Sequence, residues 1–358
     1  METFWKGRKV LLTGHTGFKG TWASLWLTAL GAEVTGLSLS PAQKPNFWTI
    51  AEEKIESHIG DLRDNEFVTK ILAAARPEIV IHMAAQALVK ESYRDPLGTF
   101  ATNIMGTANL LQACRWLDHL ACVLVVTSDK VYENHGKGRP FTEGDRLGGH
   151  DPYSNSKACT ELVTQSFRDS FFQGGAKIAT ARAGNVIGGG DWSADRLVPD
   201  CIRALAAGQP VSLRYPGAVR PWQHVLEPVA GYFTLVEALV NRPDTTPLAV
   251  NFGPDPASFR TVAEIVDGFS ERFGGKPGWV QDGGDHKPEA AALTLTSDLA
   301  QTALGWQPRL DIGETLGWTA DWYRAHREGE DMRGFSFRQI AAYQALMTKS
   351  NLFAALQV

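Results

Sequence analysis

The sequence predicts an α/β fold, a parallel sheet covered by helices on both faces, followed by a smaller mixed α/β lobe. Three observations lead there. Short β-branched runs alternate with helical patterns over the first half of the chain. The strand candidates are apolar throughout, as strands buried on both faces must be. Beyond about Gly190 the rhythm loosens into helical patterns separated by loops rich in Gly, Pro and Trp.

In chain order, strands are expected at Lys9–Leu12, Glu33–Leu39, Ile79–His82, Val123–Thr127 and Ile178–Ala181. Helices are expected at Thr21–Leu30, Asp64–Ala75, Pro96–Leu117 and Ser154–Phe172. The second lobe carries helical patterns at Pro199–Ala207, Val229–Val240, Thr261–Phe273 and Ile312–His326. We therefore place residues 1–190 in the sheet domain and 191–330 in the smaller lobe, with the chain able to cross back to the sheet. Residues 331–358 form a tail, expected to be a helix on the surface or at an oligomer contact.

Composition narrows the function. The 358 residues are 44% hydrophobic, enough for a large core. The net charge is −4 with no long run of one sign, which argues against nucleic acid or a membrane surface as a partner. Cys114, Cys122, Cys159 and Cys201 sit in apolar segments without metal-like spacing, and read as buried free thiols with no metal site. The N-terminus enters a strand almost at once, and no apolar run reaches the length of a membrane span. A soluble cytoplasmic protein is expected.

The stretch "LLTGHTGFKGTWASLWL" places Gly14, Gly17 and Gly20 between the first strand and the first helix. The first glycine permits the tight turn, the second allows a pyrophosphate to approach the backbone, and the third lets helix pack on strand. The helix N-terminus then offers free N–H groups to the anion. This is the phosphate loop of a Rossmann-type, doubly wound sheet. An acid about 20 residues on should hold the adenosine ribose. The second strand instead ends in "GLSLS", leaving Ser38 or Ser40 for that bond and NAD only weakly favoured over NADP. In "GDLRD", Asp61 suits an adenine contact, and Asp64 could equally explain the motif as a helix N-cap.

"DPYSNSKACTELV" holds Tyr153 and Lys157 four apart, on one helix face. A free phenol titrates near ~10, too high for a base at neutral pH. A nearby ammonium and an oxidised nicotinamide would both lower it.

With these motifs stand "HMAAQA" at His82–Ala87, "TSDKVY" at Thr127–Tyr132 and "ARAGNVIGGGDW" at Ala181–Trp192. Together they resemble the extended short-chain dehydrogenase/reductases, in the NAD-dependent epimerase/dehydratase group that modifies nucleotide sugars. The resemblance implies bound NAD, held by Gly14, Thr16, Gly17, Phe18, Lys19, Gly20, Ser38, Asp61, Leu62, Ala84, Ala85, Gln86, Asn103, Thr127, Tyr153 and Lys157. His82 is expected to pack under the sheet.

The same resemblance gives "TSDKVY" its meaning. Epimerases of this group use a hydroxyl at the Ser128 position and no acid–base pair after it, whereas 4,6-dehydratases carry a pair. Asp129-Lys130 resembles the branch acting on CDP-glucose. Ser128 would assist Tyr153, Asp129 would protonate the departing C6 hydroxyl, and Lys130, deprotonated by desolvation, would take the C5 proton. Asp129 and Lys130 could also be no more than an ion pair at the strand end.

For the substrate, the resemblance implies contacts from Gln86, Asn185, Arg196, Leu197, Arg214, Arg220 and His224, with guanidinium groups suited to the pyrophosphate. Arg220 is placed in a loop, without a core role. Trp222 could line the pocket or only fill the core. His286–Glu289 resembles a further contact segment. The resemblance also implies a homodimer in which the helices at Pro96–Leu117 and Ser154–Phe172 form a four-helix bundle with their copies. A sugar-nucleotide epimerase, a dehydratase for another nucleotide, and a non-catalytic cofactor sensor are the rival readings.

Overall fold

The computed structural model describes residues 1–355 except 42, 137, 276–277 and 285–291. The segment His286–Glu289 thus lies outside the described residues. The centre is a seven-stranded parallel sheet. Its first six strands in the chain are β1 (Lys9–Thr13), β2 (Glu33–Ser38), β3 (Glu56–Ile59), β4 (Ile79–His82), β5 (Cys122–Val126) and β6 (Lys177–Ala183). The seventh is Ala249–Phe252, and the order across the sheet is Ala249–Phe252, β6, β5, β4, β1, β2, β3.

Every central strand read from the sequence is present, within a residue or two of its expected ends. Two were unread. β3 has the polar sequence ESHI and lies at the sheet edge. Ala249–Phe252 pairs in parallel with β6, so the chain does return to the sheet.

The strands are apolar on both faces because both are covered. Leu12, Ile81 and Leu124 point to one core with Trp22, Trp26 and Phe233. Leu11, Val80 and Val123 point to the other, with Leu72, Leu110 and Leu111. Burial of these side chains, each contributing about 1.5–3 kcal/mol, is the main support of the sheet.

The helices begin where their caps are. Asp64 accepts from the Phe67 amide at 3.0 Å, and Asp151 accepts from Ser154 at 2.9 Å with Pro152 in the first turn. The helix expected at Pro96–Leu117 differs. It runs as Pro96–Phe100, a π-helical turn Ala101–Met105, and Gly106–Cys114. The widened turn frees the Asn103 carbonyl to accept from Thr107 and Thr160.

The C-terminal tail is less peripheral than expected. Helix Met332–Ala355 buries Ile340 and Tyr343, and the Tyr343 hydroxyl donates to Glu227 at 2.5 Å. Its ring meets Trp26 at 5.6 Å, on the helix Phe18–Ala29 of the sheet domain. Among the described residues no helix is long and apolar enough to cross a membrane. Cys114, Cys122 and Cys201 are buried free thiols as expected, while Cys159 is half-buried.

Candidate active site

The chain moves from β1 outward through β2 and β3, then returns to β4 on the other side of β1. Such a reversal opens a crevice at the carboxyl ends of β1 and β4. Gly14 lies at its floor with φ +78°, a conformation that a side chain would strain. A Cβ there would also come within 2.8 Å of the Ala84 amide nitrogen, beyond β4. Gly20 is tighter still, since its Cβ would lie 2.0 Å from the Gly14 carbonyl oxygen. Gly17 meets only that same oxygen, at 3.3 Å, and is the N-cap of helix Phe18–Ala29 without any side-chain cap. The loop is therefore packed on itself and on the segment just beyond β4, while the uncapped helix N-terminus leaves N–H groups available to an anion. A dinucleotide pyrophosphate fits this cradle.

Around it, Thr13 accepts from the Met83 and Ala84 amides and pairs with His82 at 2.7 Å. His82 bonds Thr107 with its other nitrogen and is buried under the sheet end, as expected. Thr16 pairs with Ser38 at 2.8 Å, which brings the end of β2 to the loop without a carboxylate. Asp61 chelates Arg63, and Asp64 is the helix cap. Leu62 is buried against Gly106. Asn103 ties the crevice together: it accepts from the Gln86 amide, donates to the Gln86 carbonyl and donates to Ser156 on the tyrosine helix. The Gln86 amide group is itself bonded to Leu88 and Thr99, and Ala85 lies half-buried beside it.

Ser128, Asp129, Tyr153 and Lys157 come together at the end of β5. Ser128 donates to Asp129 at 3.0 Å and lies close enough to Tyr153 to favour its phenolate. Lys157 donates to the Val126 carbonyl at 3.1 Å, and burial pushes its ammonium down to about 8. Burial raises the Tyr153 phenol against the pull of the Arg196 charge and of Ser128. The expected lowering of the phenol by Lys157 is therefore not a property of the bare protein. Lys19, half-buried in the first turn of its helix, donates to Tyr232 at 3.3 Å. Burial and the charges of Arg196 and Lys157 push it down to about 7.

Asp129 is buried, and burial raises its carboxyl against the pull of Lys130, Ser128 and Arg220. Among the described residues its Oδ2 has no hydrogen-bond partner, and a Cβ on Gly184 would come 3.0 Å from it. Lys130 is only half-buried.

On the lobe side, Arg196 occupies the N-cap position of helix Leu197–Ala206 without a side-chain cap and donates to the Ala87 carbonyl at 3.4 Å, while neighbouring Asp195 pairs with Lys90. Leu197 starts that helix, half-buried on the core. Asn185 is half-buried where β6 leads into Val186–Ile187. Arg214 is half-buried just beyond strand Val211–Leu213.

Two expectations, for Arg220 and His224, need correction, and one open alternative, for Trp222, is decided. Arg220 lies in a strand, Val219–Pro221, paired antiparallel with Phe259–Thr261, and is buried toward Asp129. Trp222 takes the core reading: it is buried and donates to the Arg260 carbonyl at 3.1 Å. His224 is not at the substrate surface. Strand Gln223–His224 pairs with Val186–Ile187, and the imidazole is fully buried between Trp22 and Trp318. Its Nδ1 accepts from the Leu226 amide, and burial holds it neutral, down to about 3.

Residues 10–251 match the family model described as "NAD dependent epimerase/dehydratase family". The chain belongs to that family. It is 44% identical over 356 residues to the CDP-glucose 4,6-dehydratase of Salmonella typhimurium, covering 97% of this chain and 99% of that protein. It is 27% identical to the dTDP-glucose 4,6-dehydratase of Xanthomonas campestris, over 87% of this chain and 92% of the relative. Among solved structures, the Thermus thermophilus UDP-glucose 4-epimerase in complex with NAD superposes with a TM-score of 0.76 at 26% identity, covering 88% of this chain and 98% of that one.

Reasoning from sequence missed Glu161 and Arg182, which form a buried ion pair at 2.8 Å beside the site. The signal was available: Glu161 lies one turn beyond Lys157 on the Tyr153 face, and Arg182 interrupts an apolar strand.

Proposed function

We propose that the protein converts CDP-glucose to CDP-4-keto-6-deoxyglucose with loss of water. The observation that carries this is the buried Asp129, its carboxyl raised by desolvation, one oxygen without a partner among the described residues, and the other hydrogen-bonded to the serine that favours the Tyr153 phenolate. A 4-epimerase needs a hydroxyl and a phenol but no second acid. Here a second acid, its carboxyl raised by burial, stands beside them. The likeness to the Salmonella enzyme supports the same reading and favours cytidine as the base.

Bound NAD would supply hydride acceptance from sugar C4 and its later return to C6. The chain supplies the proton movements. Tyr153 takes the O4 proton as the ketone forms, with Ser128 and Arg196 favouring the phenolate. The ketone acidifies C5–H. Lys130 removes that proton once bound sugar completes its burial, and Asp129, through Oδ2, gives its proton to the C6 hydroxyl, which departs as water. The proton on Lys130 then returns to C5, and that on Tyr153 to solvent as Asp129 is reprotonated.

The glycine loop, Thr16, Phe18, Lys19, Ser38, Asp61, Leu62, the 84–86 segment, Asn103, Thr127, Tyr153 and Lys157 would hold the cofactor. Gln86, Asn185, Arg196, Leu197, Arg214 and Arg220 would hold the sugar nucleotide, and His224 is withdrawn from that set. Leu97, Met105, Leu162 and Phe171 are exposed on the helices expected to pair between copies, which supports a homodimer. We place the product in cytoplasmic deoxysugar synthesis for surface polysaccharide. Incubation with CDP-glucose deuterated at C4 should yield a keto-deoxy product labelled at C6. Label returned to C4, or unchanged sugar, would overturn the proposal. Parallel dTDP-, GDP- and UDP-glucose reactions test the base.

A further inference from the structure

Beneath the site lies a buried polar network that the reaction does not consume. Glu161 accepts four hydrogen bonds: from Thr127 and Arg182 Nε on one oxygen, and from Thr180 and Arg182 Nη2 on the other. Arg182 turns its remaining nitrogen to the Tyr132 hydroxyl at 2.9 Å and the Glu143 carbonyl at 3.2 Å. Tyr132 donates onward to Asn251 at 2.6 Å, on the edge strand. Asn251 is held in turn by the Glu143 carboxylate and the Phe141 carbonyl.

The placement is what matters. Glu161 sits on the helix that carries Tyr153 and Lys157, on the same face. Thr127 immediately precedes Ser128, and Tyr132 ends the short turn Asp129–Val131. The turn bearing Asp129 and Lys130 is thus fastened at both ends to one buried ion pair, and that pair is rooted in the tyrosine helix. A buried ion pair is a weak source of stability, because desolvation offsets most of its attraction. A fully satisfied network does fix geometry, and reacting groups misplaced by an ångström lose rate heavily.

We propose that Glu161, Arg182 and Tyr132 are positioning residues that hold the acid–base turn in register with the tyrosine helix. They keep elimination across C5–C6 matched to oxidation at C4. This rests on the dehydratase reading. Disturbing the network should therefore separate the two halves of the reaction, rather than slow both.

The test uses the full-length holoenzyme in single turnover with CDP-glucose in D2O. Quenched samples are assayed separately for C4-oxidised sugar and for 6-deoxy product. Tyr132→Phe removes one link without leaving a charge unpaired. It should leave C4 oxidation within about threefold and slow elimination about tenfold, so that the 4-keto hexose accumulates and escapes. Arg182→Lys keeps the charge opposite Glu161 but cannot fork to Tyr132, and should separate the steps at least as far. Equal loss of both steps in the variant that folds, or no loss in either step, would overturn the inference. If the wild type itself forms no 6-deoxy sugar, the dehydratase reading falls instead.

Discussion

The glycine loop after β1 and the turn after β5 are the same kind of feature. Both leave the carboxyl end of a central parallel strand and face one crevice. They work in opposite ways. The loop leaves its helix N-terminus uncapped and spends its glycines on close packing, so backbone groups stay available. In the turn, Ser128 accepts from the Lys130 amide, and the carboxyl of Asp129 is buried. Backbone donors suit a phosphate, whose charge is permanent. Proton transfer needs a side chain whose affinity for protons has been moved, and burial is what moves it.

If that contrast holds, the largest effect comes from the turn. Asp129→Asn keeps the size and the polarity but cannot give up a proton. Elimination should fall by roughly 10²–10⁴-fold, the usual scale for a lost general acid, with C4 oxidation still measurable. The pH dependence sharpens the assignment. The folded-state pKa of Asp129 lies above its ordinary value, so the protonated acid persists to higher pH. Wild-type elimination should weaken as pH rises through that value, and the variant should lack this limb. Stability follows the same sign. The contribution of Asp129 is greatest below its unfolded pKa and is lost as pH rises through the folded one, so the asparagine variant should denature later at neutral pH. Equal loss of oxidation and elimination would remove Asp129 from its role.

A smaller effect belongs to the loop, and there it should be steric. Gly20→Ala places a Cβ 2.0 Å from the Gly14 carbonyl oxygen, which is backbone and cannot swing aside. Overpacking of this kind costs about 1–3 kcal/mol. Expressed as weakened NAD binding in a titration, that is roughly a 5- to 150-fold loss. Gly17→Ala, with its nearest contact at 3.3 Å, should lose less. The reverse ranking would mean that Gly17 is the position where the cofactor presses closest.

These two regions were not equally legible. The loop could be read because its physics is local: glycine spacing, a preceding strand and a following helix all lie within one short stretch. The cap Asp64 was legible for the same reason. Ser128, Asp129, Tyr153 and Lys157 were legible as a motif, but the close packing on Asp129 and the charge that opposes its rise come from remote segments, Gly184 just beyond β6 and Arg220 in the other lobe. β3 hid because an edge strand carries no apolar run. The tail hid because Tyr343 finds its partner 116 residues away, at Glu227. His224 misled for the opposite reason. The motif around it looked like a binding loop, and nothing local shows that Trp22 and Trp318 enclose the ring.

His224 therefore supplies the smallest effect on catalysis and a separate check on its placement. His224→Leu should leave KM for CDP-glucose within about twofold, since the ring touches tryptophans and not the cleft. Its effect should appear in stability instead. Burial lowers the folded pKa to about 3 from an ordinary 6.5. A depressed histidine pKa means that its contribution is intact above the unfolded value. That contribution is lost as pH falls, because the unfolded chain takes up a proton that the native state refuses. Between pH 6.5 and 4 one such group steepens the stability curve by about 1.4 kcal/mol per pH unit. His82 is held down in the same way, so the wild type should lose stability with more than one proton of slope. Denaturant titrations across that range should find the leucine variant shallower by one proton. The variant also leaves the Leu226 amide without its acceptor, which costs about 1–3 kcal/mol at neutral pH. A raised KM with an unchanged slope would return the imidazole to the substrate pocket.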